Sequence, residues 1–119
     1  MTTDSAETML VHDTQTEEGT YFLLRLGKDP GDGACMRLRN ALRTIQARYS
    51  ASSSVPRDVA FSCGVILHFA QECRRNLEDS GLTNLVGNVD DIQQGAFDVL
   101  AGTVADEWAV PRTGLDDAT

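Results

Sequence analysis

Between Cys63 and Cys73 the chain reads Cys-Gly-Val-Ile-Leu-His-Phe-Ala-Gln-Glu-Cys, which gathers two thiols, an imidazole and a carboxylate in one short run. Residues of these types ligate zinc and form cysteine–histidine catalytic pairs. Spacing decides whether they can act together. The apolar residues around them recur with helical periodicity, and a helix turns by about 100° per residue. With Cys63 at zero, His68 stands near ~140°, Glu72 near ~180° and Cys73 near ~280°. The two sulfur atoms are also roughly 15 Å apart along the axis. Zinc draws its ligands to about 2.0–2.3 Å from several directions, and a nucleophile needs its base within about 3 Å. Neither geometry is open to this stretch. No catalytic residue, metal site or cofactor is expected from it.

The same wheel assigns the helix a structural task. Val59, Ala60, Cys63, Ile66, Leu67, Ala70, Cys73 and Leu77 share one broad face, and Phe61, Val65 and Phe69 extend the apolar surface beyond half the circumference. A helix of that kind is expected to be central and buried, with both sulfurs inward. Only His68, Glu72 and Arg75, with Gln71, form a narrow polar stripe. It is read as a solvated stripe of weak side-chain pairs. Its alternative reading is a polar cluster opening on a small-ligand or metal pocket.

A second constellation lies upstream. Arg37, Arg39, Arg43 and Arg48 occupy the segment 34–49 with no acid among them, and Arg57 follows a serine-rich linker. Residues 34–58 carry five bases and one acid, a net +4, which leaves −12 on the rest of a chain whose total is −8. Arginine forks grip phosphate and carboxylate oxygens, so this helix is a candidate contact for nucleic acid or an acidic partner. The preferred reading is internal: acids of the last helix, Asp90, Asp91, Asp98 or Asp106, face the arginines within the fold. On that reading Arg37 and Arg48, which flank the apolar face, make the pairs, and Arg39 and Arg43 point away. Asp91 and Asp98 line one side of the last helix with Gly95 and Gly102, either tolerated glycines or places where another helix comes close. Trp108 follows as a core lid or interface residue.

The elements that must hold these residues are helices. The pattern predicts a mainly α fold, a small single-domain bundle of three to four helices with a long central helix over about 55–79. A further helix spans 34–49, and the last runs from Asn88 to about Glu107. Residues 16–26 are read as a helix capped by Thr16 and stopped at Gly27. The alternative is an α+β fold with a β-hairpin over about 9–26 packed on three helices. Residues 1–15 are expected to be a flexible acidic tail, 16–110 the helical domain and 111–119 a flexible C-terminal tail.

Composition narrows the function. The acid excess disfavours broad, non-specific nucleic-acid binding and favours steering toward basic partners. Three cysteines without close pairing point to a reducing compartment, the cytoplasm. No apolar run is long enough to span a membrane. No phosphate-binding glycine loop or nucleophile elbow is present. The expected function is that of a non-enzymatic interaction protein, a small acidic regulator, inhibitor or adaptor that binds a protein partner. A homodimer is compatible with the broad apolar helix. The alternatives are a nucleic-acid-associated module using the arginine helix, and a small-ligand or metal-binding protein centred on His68 and Glu72.

Overall fold

A computed structural model describes residues 1–52 and 54–118, with side chains described through residue 102. The elements are α1 (Thr3–Gln15), α2 (Thr20–Arg25), α3 (Ala34–Tyr49), α4 (Arg57–Asp79), a 3-10 turn (Thr83–Leu85) and α5 (Val86–Ala118). The mainly α bundle expected from the periodicity is the fold, and among the described residues there is no strand. The hairpin alternative fails because residues 9–15 complete α1 and Thr20–Arg25 is helical.

α3 and α4 stand diagonally across the bundle. α1 fills one gap between them and α5 fills the other, while α2 lies against α4. The core runs along the middle: Leu10 from α1, Leu38, Leu42 and Ile45 from α3, Val59, Ile66 and Leu77 from α4, and Val89 and Ile92 from α5 are all fully buried. Local signals set the boundaries. α3 starts at Gly33 in the left-handed region at φ +74°, and α4 starts after Pro56 with Asp58 in its first turn. α4 stops at Gly81, φ +79°, where the Leu82 N–H donates back to the Leu77 carbonyl at 2.8 Å. That is the reversal a left-handed glycine after a helix permits.

Residues 3–15, expected as a tail, instead form α1. Thr2 caps it by accepting a hydrogen bond from the Ser5 N–H at 3.2 Å, and Asp4 sits in the favourable first turn. Only Ala6 and Leu10 are fully buried apolar residues on this helix, which is why its amphipathic pattern is faint. Polar groups complete the packed face: the Thr14 hydroxyl donates to the Leu10 carbonyl at 2.8 Å, and Asp13 accepts from the Thr20 N–H at 3.3 Å. α1 is further tied by Tyr49 to Glu7 at 3.2 Å and by Gln15 to the buried Ser62 hydroxyl at 2.9 Å.

α4 departs from expectation in one respect. Val59, Cys63, Ile66, Ala70, Cys73 and Leu77 are buried as read, but Ala60, Leu67, Val65 and Phe69 are only half-buried and Phe61 is 61% exposed. Among the described residues the helix is covered by α1, α2 and α5, and its fourth side is open. Among the described residues no helix is long and apolar enough to cross a membrane. The expected C-terminal tail 111–119, with Asp106 and Trp108, lies outside the residues whose side chains are described.

Candidate functional site

The open side of α4 is where the surface is least like an ordinary acidic exterior. Phe61, Gly64, Val65, His68 and Phe69 line an apolar groove of about 350 Å³. Helical geometry puts them there, since 61, 65, 68 and 69 follow the i, i+4, i+7, i+8 rule for one face. Gly64 deepens the groove, because a Cβ at that position would meet nothing within 4 Å. The His68 ring stands edge-on to Phe69, with centroids 4.7 Å apart and planes at 89°.

Arg25 packs against Phe69 beside the groove. Its guanidinium lies 3.5 Å from the Phe69 ring centroid and 5.5 Å from that of Phe22, a stacked cation–π arrangement. Its Nε is buried and approaches Glu72 at 3.6 Å, too long for a hydrogen bond. Asn76 anchors the same corner by donating to the Arg25 carbonyl at 2.6 Å. Glu72 therefore turns toward Arg25, and the exposed His68 turns toward Phe69. The stripe His68, Glu72, Arg75 is not assembled into a polar cluster. Among the described residues no three His, Cys, Asp or Glu side chains are grouped to hold a metal ion.

All three thiols are buried and unpaired. Burial pushes the Cys63 thiol up to about 12. Burial likewise lifts Cys73 to about 11, partly offset by its contact with the Tyr21 hydroxyl and by the nearby Arg25. Neither supplies a thiolate near neutral pH, and the thiolate is the nucleophile. Tyr21 is itself fully buried and donates to the Ile66 carbonyl, which fixes α2 on α4.

The arginine helix is divided among several tasks. Arg39 reaches Asp91 on α5 at 3.5 Å, and Arg43 shares the adjoining hollow with Asp91, Gly95 and Asp98. Acids of the last helix thus face the arginines, as expected, but through Arg39 in place of Arg37 or Arg48. Arg37 instead points back to the Asp32 carbonyl at 3.5 Å, and Arg48 lies over the Tyr49 ring at 5.2 Å. The reason is the azimuth of α5, which packs on α3 from the Arg39 side. Gly95 marks that crossing: a Cβ there would sit 3.2 Å from Leu42, whereas one at Gly102 would meet nothing within 4 Å. Arg57 is exposed beside Asp58, Phe61 and Gln15, next to the apolar groove.

Two functional-looking residues escape sequence inspection. Arg25 reads as a helix-end charge, and its only signal is Phe22 three residues earlier. Arg74 holds α4 to α5 through Asp90 at 3.1 Å and Gln93 at 2.7 Å, with Gln71 at 2.9 Å on its own helix. No protein-family model, curated protein or solved structure matches the chain.

Proposed function

We propose that this chain is a non-enzymatic interaction protein, a small regulator, inhibitor or adaptor of the cytoplasm, and that it docks a protein partner on the open face of α4. The observation that carries the reading is Phe61, 61% exposed at the mouth of an apolar groove. Exposed aromatics beside a pocket are the usual anchors of protein interfaces, where they bury a large area at low entropic cost. The unpaired thiols fit a reducing compartment. Their burial, together with a histidine turned toward a phenylalanine, supports binding over covalent chemistry. The nucleic-acid reading is weakened by the acids placed among the arginines, which would repel phosphates.

Affinity capture from the native host with the intact chain and with Phe61→Glu as baits tests this. Phe61 is largely exposed, so the substitution should shift the melting temperature by no more than about 2 °C. Retention of the bound protein is expected to fall at least about tenfold, the loss that follows when a hot-spot aromatic is removed. Equal retention by the two baits refutes the assignment of this face.

A further inference from the structure

We propose that the occupant of the α4 face is a second copy of this chain, its α4 lying antiparallel across the first. The proposal rests on the reading of that face as a docking surface and names what docks there. The exposed stripe is self-complementary about one point. Counting outward from the Gly64–Val65 bond, Val65 mirrors Gly64, His68 mirrors Phe61 and Glu72 mirrors Arg57. All six positions are exposed or half-exposed.

A two-fold axis through that bond, perpendicular to the helix, sets the six into matching layers, the self-complementary arrangement an isologous dimer requires. Phe61 of one copy shares a layer with His68 of the other, the same pair of ring types that His68 and Phe69 already form within the chain. Each Val65 fills the space left beside Gly64 of the second copy, where nothing stands within 4 Å. Arg57 comes level with Glu72 of the second copy, twice over.

Charge selects this register and direction. A parallel pairing would oppose Arg57 to Arg57 and Glu72 to Glu72. Sliding the antiparallel copy by three residues toward the C-terminus sets Arg57 against Arg75. Like charges across an interface disfavour the wrong pairings more than the right ones gain. The face carries Arg57 and Arg75, with Arg25 at its edge, against Asp58 and Glu72, so the net charge of −8 resides elsewhere. Salt therefore strengthens this dimer by screening that charge, whereas it would weaken the docking of a basic partner.

From Arg57 to Glu72 the seam is about 22 Å long, one helix wide, which places it among small interfaces. Sedimentation equilibrium of the full chain should show mass rising from monomer toward dimer between about 1 and 300 µM, and more steeply at higher salt. Phe61→Glu should remain monomeric across that range. Orientation is read with a spin label on Glu78→Cys, an exposed site away from the face, the native thiols being buried. The antiparallel register puts the two labels about 40 Å apart, while a parallel one brings them within about 20 Å. A wild-type monomer at ~300 µM, a dimer indifferent to Phe61→Glu, or a short label distance overturns the proposal. If the wild type is monomeric yet capture still depends on Phe61, the dimer falls and the docking surface stands. If capture is also indifferent, both fall.

Discussion

Cys63 and Cys73 face inward, and burial outweighs the nearby Arg25 and Arg74 at Cys73, which makes both thiols sensors of alkaline pH. Their ionisation lies at about 12 and about 11, against an ordinary value of 9.0, because burial penalises the thiolate. Between those values the unfolded chain releases protons that the folded chain retains, so unfolding becomes easier as pH rises. The stabilisation is complete below pH 9 and disappears on the way to about 11–12. Cys35 is raised for the same reason, chiefly by burial and then by Asp29, and the buried Tyr21 adds to the trend at higher pH. The urea midpoint is expected to hold steady from pH 7 to 9 and to fall steadily from 9 to 11. A midpoint unchanged through pH 11 would mean that the thiols are wet. The sequence foretold the inward direction of these sulfurs, since a ten-residue spacing on a helix leaves both on the apolar arc. It could not foretell that Glu72 prefers Arg25, because that depends on where α2 lands.

At the scale of elements, the join between α2 and α4 is a close crossing. Gly27 sits at φ +72°, and a Cβ there would come within 2.6 Å of the Asn76 carbonyl oxygen. Gly31, at φ +101°, has nothing within 4 Å. Gly31→Ala therefore carries backbone strain alone, about 1–2 kcal/mol, and Gly27→Ala carries that plus a clash with backbone that cannot swing aside. Denaturant titration should show Gly27→Ala losing at least about 2 kcal/mol more than Gly31→Ala; equal losses would mean the crossing is loose. Helices 34–49 and 57–79 were readable because their apolar residues keep the 3.6 period and end in recognisable punctuation at Pro56 and Gly81. α1 was not readable as a packed helix, since Asp13 and Thr14 do part of the work that apolar side chains do elsewhere. The wheel of α4 overstated burial for a related reason: it gives the apolar arc, but only the number and placement of neighbours decides how much of that arc is covered. Phe61 is what they leave over.

For the whole molecule, the dominant long-range term is a charge of −8 on 119 residues. Of the described cross-element ion pairs, Arg39–Asp91 and Arg74–Asp90 have carboxylates more than half exposed and Arg25–Glu72 is long at 3.6 Å, and such pairs contribute little. Self-repulsion outweighs them. Raising sodium chloride from about 20 to 500 mM should therefore raise the melting temperature by about 3–5 °C, measured at a concentration where only monomer is present. A decrease would show that the ion pairs matter more than the surplus of acid. The unevenness of that charge, +4 over residues 34–58 and −12 elsewhere, was plain from composition. Its internal answer, α5 acids set beside α3 arginines, needed the packing of those two helices to be known.

α1 is a thirteen-residue plug lodged between two diagonal helices and held at each end by a polar tie, Glu7 to Tyr49 and Gln15 to Ser62. A single proteolytic nick between Thr16 and Gly19 would leave nothing covalent to keep that plug seated. Its departure would uncover a greasy trench along the length of the molecule, turning a well-behaved solute into one that sticks to its own kind.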